Sequence, residues 1–183
     1  MFYAMFGVLA LGLLALDQWV KIWTVATFAA PVPPAVYSTA DSAVEFLPGI
    51  VELTRIHNYG AAWSSFSGQK WLLIGLTTVL LSVILVLVAR KVVRHPVGLA
   101  ACTLILTGGI GNLIDRVRMG YVVDMFHFEF WPSYPVFNVA DICVVIGAVL
   151  GSVYYLWLYD KYDAKQKPAE EEKTDGEADI PTE

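Results

Sequence analysis

Three aspartates, Asp115, Asp124 and Asp141, stand near the ends of long apolar runs, and a fourth, Asp17, is followed four residues later by Lys21. Ionisable groups in or beside membrane-length apolar segments are costly to keep and point by default to a functional site. Two carboxylates are enough to hydrolyse an amide without metal or covalent intermediate. The ionised one takes a proton from water; the protonated one hydrogen-bonds the carbonyl and later supplies the leaving amine. Side by side they share a proton, because adjacent like charges do not both ionise easily, and their titration belongs to the pair. Asp17 and Lys21 lie at i and i+4, so they share a helix face and can form an ion pair. Such a pair either anchors its helix near the interface or supports the site, and being neutralised it is a poor proton-transfer group.

Local surroundings choose among the three aspartates. Asp115 is followed by Arg116, with Arg118 nearby, so a local ion pair would hold it ionised and leave it as structural support. Asp124 sits in Tyr121-Val122-Val123-Asp124-Met125-Phe126, and Asp141 in Phe137-Asn138-Val139-Ala140-Asp141. Apolar neighbours favour the protonated form of a carboxyl, which selects Asp124 and Asp141 as the dyad. Cys102 and Cys143 lie inside apolar runs, and two such residues make neither a metal site nor a disulfide framework. A cysteine protease would pair Cys143 with His127 or His57, but nothing near Cys143 would lower its thiol pKa. His57, His95 and His127 are scattered, so no metal and no cofactor are expected. Gly108, Gly109 and Gly111 lack the Lys and Ser/Thr of a phosphate loop and suit close helix approach instead.

The elements that must position these groups follow from composition. Of 183 residues, 57% are hydrophobic and 16% charged, against about 25% charged in a typical soluble domain. Crossing a bilayer takes about 20 apolar residues, and four segments offer them: 2–27, 71–89, 97–114 and 137–159. The first is read as a retained helix, because Met1 to Leu16 lacks the basic residues of a cleavable signal peptide. Arg90, Lys91 and Arg94 join the second and third spans, and Lys161, Lys165 and Lys167 follow the fourth. Such basic loops mark the cytoplasmic side, so both termini are expected inside and the connections 28–70 and 115–136 outside. Pro31, Pro33, Pro34, Pro48 and Gly49 break the first outer connection, while the alternation in 50–56 predicts a strand at the membrane surface. Gly49, Gly60 and Gly120 are candidate flexible points, and Trp63, Trp71, Trp131 and Tyr134 candidate interfacial anchors.

With this topology, Asp17, Lys21, Asn58, Asn112, Asp115, Asn138 and Asp141 converge near the outer ends of the spans. A transporter would place them near the midplane, often between inverted repeats, and no repeat is visible. The formal net charge of -5 arises largely from Glu170, Glu171, Glu172, Asp175, Glu177, Asp179 and Glu183. Residues 164–183 are therefore expected to form a disordered, acidic cytoplasmic tail, with 1–163 as the transmembrane domain. No basic stripe suits nucleic acid.

Five short elements resemble those of the lipoprotein signal peptidase (signal peptidase II) family, an aspartyl membrane protease. They are Asp17-Gln18-Trp19-Val20-Lys21, Asn58-Tyr59-Gly60-Ala61-Ala62-Trp63, the run from Gly108 to Arg116, Val122-Val123-Asp124 and Phe137-Asn138-Val139-Ala140-Asp141. They occur in the family's order over roughly Leu9 to Leu158. The resemblance implies an all-α fold of four transmembrane helices with a small extracytoplasmic β-containing region. It implies Asp124 and Asp141 as the catalytic dyad, with Asp17, Lys21, Asn58, Gly60, Asn112, Asp115, Arg116 and Asn138 as support and substrate contacts. It further implies a monomer in the bacterial inner membrane, among membrane lipids, that cuts diacylglyceryl-modified prolipoproteins before the lipidated cysteine and is blocked by globomycin-like inhibitors. Met125 stands where the family often has Phe, and the segment 30–44 is long.

Overall fold

Long apolar runs become helices in lipid because a helix satisfies its backbone polar groups within itself. The computed structural model of the chain describes residues 2–31, 43–61 and 65–163. Its spanning helices are α1 (Phe2–Thr27), α2 (Lys70–Ala89), α3 (Pro96–Arg118) and α4 (Val139–Val153), the last continuing as a π-helix over Tyr154–Asp163. All four are long and apolar enough to cross a membrane. The first span ends where expected. The third extends past Ile114 to Arg118, because Arg116 and Arg118 in its last turn complement the negative end of the helix dipole. Pro96 opens α3 with the His95 side chain as its N-cap. The fourth starts at Val139 rather than Phe137, since Asn138 is its N-cap. The acidic tail, Trp63 and most of the segment 30–44 lie outside the described residues.

The connections α1–α2 and α3–α4 hold three strands: β1 (Val44–Leu47), β2 (Val51–Asn58) and β3 (Val122–Phe128), antiparallel in the order β1-β2-β3. The strand expected at 50–56 is thus the central one. Between Leu53 and Ile56 the register slips, placing one extra residue in β2. That bulge changes the alternation of faces, so Arg55 and Ile56 are both buried. Arg55 uses its burial to close α1, donating from Nη1 to the carbonyls of Val25 and Phe28 at 3.2 and 3.1 Å. Those carbonyls have no partner within the helix. After β3 the chain folds back, and Phe137 exchanges backbone hydrogen bonds with Phe126. The return delivers Asn138 and the start of α4 beside β3.

α3 is the most enclosed helix and packs against α1, α2 and α4. Close approach to α4 depends on glycine: a Cβ at Gly108 would run into the backbone carbonyl of Ala140, and one at Gly147 would lie 3.0 Å from that of Ala101. At the other end of α3, the Asp163 carboxylate accepts the N–H groups of Arg94 and His95 at 3.1 and 3.2 Å, and the Tyr154 hydroxyl. Tyr154 packs there with Val93 and Leu99.

Candidate active site

The site starts from a lysine. Lys21 on α1 is 3% exposed and its ammonium has three donors to satisfy. They go to Asp17 Oδ2 at 3.0 Å, Asp115 Oδ2 at 3.0 Å and Asn112 Oδ1 at 2.9 Å. The two carboxylates reach further: Asp17 Oδ1 accepts the Ala140 N–H at 2.9 Å, and Asp115 Oδ2 that of Val123 at 3.2 Å. One ammonium therefore ties α1 to α3, and its carboxylates tie on α4 and β3. Gln18, beside Asp17, donates to Asp17, Asp115 and the Gly111 carbonyl. It belongs to this tie, although only its place in the Asp17–Lys21 element drew attention to it.

Asp115 was expected to lean on Arg116, and the structure corrects this: its cation is Lys21. Consecutive helical side chains diverge by about 100° and do not face each other. Arg116 instead donates from Nη2 to the Gly60 carbonyl at 2.8 Å, and its Nε is buried with no hydrogen-bond partner. Its charge faces Asp141, Asp124 and Asp115.

Because Lys21 can only donate, the Asn112 atom facing it is oxygen, and the amide nitrogen points to Asp141 Oδ1 at 2.7 Å. Asn138 continues the chain, donating from Nδ2 to Asn112 Oδ1 at 3.1 Å and to Asp124 Oδ1 at 2.6 Å. Its carbonyl oxygen caps α4 through the Asp141 N–H, while Asp141 Oδ2 accepts the Asn138 N–H, a reciprocal capping box. Asn58 completes the set: its oxygen accepts the Gly60 N–H at 2.9 Å, which turns Nδ2 toward Asp124 Oδ2 at 3.0 Å. Gly60, a candidate flexible point, is buried with both backbone groups engaged. Gly49 and Gly120 are the ones in turns of positive φ, at 73° and 86°.

All ten residues singled out in the sequence thus join one bonded network. Asp124 and Asp141 both open onto a cleft of about 670 Å³. Leu80 and Leu81 of α2, Ile105 and Gly109 of α3, and Val144 and Val145 of α4 form its apolar part. Burial and the charge of Asp141 push the Asp124 carboxyl up to about 7. Cys143 is buried in α4. His127 pairs with Glu52 across the sheet at 2.7 Å, and His57 accepts from Arg55 Nε and stacks on Tyr121. Trp71 and Trp131 are exposed as interfacial anchors would be, but Tyr134 lies in the cleft wall.

Residues 9–157 match the family described as Signal peptidase (SPase) II. The chain belongs to the signal peptidase II family. Among proteins similar to this signal peptidase are the lipoprotein signal peptidases of Lactococcus lactis subsp. cremoris, 41% identical over 78% of this chain and 87% of that one, and of Enterococcus faecalis, 38% identical over 79% and 83%. That of Clostridium acetobutylicum is 35% identical and covers 86% of this chain and 97% of its own. A solved bacterial membrane enzyme shares the fold with a TM-score of 0.72 at 26% identity, over 87% of this chain and 90% of that one. This signal peptidase is a multi-pass membrane peptidase whose helices carry a three-stranded sheet at one end of the bundle.

Proposed function

We propose that this signal peptidase hydrolyses the peptide bond before the lipidated cysteine of diacylglyceryl-modified prolipoproteins, using Asp124 and Asp141 as an aspartyl dyad. The observation that carries the reading is the fixing of both carboxylates, by Asn58, Asn112 and Asn138, on the wall of one cleft. Asp141 accepts from a helix N-terminus and an amide, which suits the ionised member. Asp124, raised to about 7, suits the protonated one. Water held between them gives a proton to Asp141 as its oxygen attacks the scissile carbonyl carbon, and Asp124 protonates the carbonyl oxygen. The resulting gem-diol returns a proton to Asp124 as it collapses, Asp141 protonates the departing cysteine amine, and the C–N bond breaks. Asn112, Asn138 and Asn58 hold the dyad; Lys21, Asp17 and Asp115 hold the asparagines and the strand; Arg116 and Gly60 edge the substrate path.

The same reading puts the chain in the bacterial inner membrane as a monomer, with both termini cytoplasmic and the dyad toward the outer face. The charge pattern of Arg90, Lys91, Arg94 and Lys161 supports this. Residues 1–163 are the peptidase domain, 164–183 an appended acidic tail, and globomycin-like inhibitors compete for the cleft. Cleavage of a diacylglyceryl-modified prolipoprotein by purified wild type, Asp115→Asn, Asp124→Asn and Asp141→Asn, read by mass, tests the assignment. Asp124→Asn and Asp141→Asn should fold and be inactive, while Asp115→Asn keeps measurable activity at reduced stability. Activity in Asp124→Asn with none in folded Asp115→Asn would move the dyad to Asp115 and Asp141.

A further inference from the structure

A second, smaller cavity of about 190 Å³ opens on the other flank of α4 from the helix cleft. It is lined by Phe128, Tyr134, Phe137, Ile142 and Ile146, and shares Tyr134, Phe137, Asp141 and Val145 with the larger one. Helical geometry explains the division. At 100° per residue, Ala140, Val144 and Gly147 form the stripe facing α3, Asp141 and Val145 lie one step around the helix, and Ile142 and Ile146 a step further. The Asp141 carboxyl stands at the edge between the stripes, where the two cavities meet.

Resting on the dyad reading above, we infer that this lateral groove seats an acyl chain of the substrate's diacylglyceryl group while the signal helix occupies the large cleft. Size separates the two occupants. An α-helix with its side chains is about 10 Å across and cannot enter the groove. At ~30 Å³ per water-sized unit, the groove has room for roughly six such groups, the volume of a short run of methylenes. Chemistry agrees, because apart from Asp141 at the mouth and the Tyr134 hydroxyl the walls are hydrocarbon and aromatic. Position agrees too: Ile142, Val145 and Ile146 are half-exposed on the outward flank of α4, so a chain leaving the groove passes directly into lipid. A scissile bond over Asp141 then has its signal-helix side in one cavity and its lipidated side in the other. The groove would make the enzyme read acyl length as well as peptide sequence.

The test uses full-length enzyme reconstituted in liposomes and two synthetic prolipoprotein peptides, identical except for diacetyl or dipalmitoyl glyceryl groups on the cysteine. Ile146→Trp fills the groove away from the dyad. Val149→Trp, on an exposed part of α4 outside both cavities, controls for a tryptophan facing lipid. Ile146→Trp should raise KM for the dipalmitoyl peptide by about tenfold or more, while the diacetyl peptide is cut almost as by wild type, and Val149→Trp changes neither. Retained cleavage of the short-chain peptide shows the variant folded and its dyad intact. Equal loss on both peptides, or no change on either, overturns the groove assignment while the peptidase reading stands. If wild type cuts neither peptide, the peptidase reading fails and the groove assignment with it.

Discussion

Asn138 joins three parts of the site with one side chain: it caps α4, holds Asp124, and anchors on Asn112, with both amide hydrogens and its oxygen engaged. An asparagine suits this position because a carboxylate there would repel both Asp124 and Asp141. The consequence for titration falls on Asp124, which burial and Asp141 raise to about 7. In its proposed role as proton donor Asp124 must be neutral, so kcat on a lipidated substrate should be sustained below that value and fall as pH rises through about 7. The sign for stability is the same. The folded state keeps a proton that the unfolded carboxyl loses near 3.9, so this group's contribution is fully present below about 4 and is lost as pH rises to about 7. A pH profile of kcat checks the first, and thermal unfolding across the same range the second; activity rising through pH 7 would remove Asp124 as the acid. At this scale the sequence was legible where a residue's type limits its partner. Carboxyls in apolar surroundings pointed to Asp124 and Asp141, and the structure brings both to the wall of one cleft. The partner of Asp115 was not legible, because adjacency along the chain suggested Arg116 while helical geometry brings in Lys21.

Elements were legible in proportion to their length and apolarity. The four spans stand out because hydrocarbon imposes one solution on a long apolar run. β3 was missed, although it carries Asp124: Val122, Val123, Asp124 and Met125 are all buried, so no alternation marks the strand. The bulge in β2 is equally silent, since nothing in Thr54-Arg55 announces it. The glycines of α3 divide by what they meet. A methyl at Gly108 meets the Ala140 carbonyl, fixed backbone one residue before Asp141, whereas one at Gly109 meets Leu81 Cδ2 at 2.6 Å, the end of a flexible side chain. Gly108→Ala should therefore push α4 and its carboxylate away from Asn112. We expect it to lose about 1–3 kcal/mol, in the range of overpacking, with most of its activity. Gly109→Ala should lose less stability and act mainly on substrate affinity, since Gly109 lines the cleft. Thermal unfolding in detergent with kcat and KM for each variant checks the order, and equal effects would mean that α3 and α4 adjust freely.

The whole molecule is held at its two ends by different chemistry. At the end with the sheet, one buried lysine and two buried aspartates draw α1, α3, α4 and β3 together, and removing one partner of such a group leaves uncompensated charge. At the other end, Asp163 ties the last turns of the fourth span to the connection between α2 and α3. The two clusters lie at opposite ends of α3, so stability and catalysis should separate. Asp163→Ala leaves two backbone N–H groups and a tyrosine hydroxyl to find new partners, and should cost about 1–3 kcal/mol. The proposed dyad is untouched, so kcat measured well below the lowered Tm should stay within about twofold of wild type, consistent with distant sites acting independently. A chain ending at Lys165 keeps Asp163 and every contact of the bundle described here. It should match wild type in both Tm and kcat, which would assign the acidic residues beyond it to something other than folding or cleavage. If the shortened chain instead lost activity while keeping its Tm, those residues would act on the substrate or its delivery, and the peptidase domain would have to be extended past residue 163.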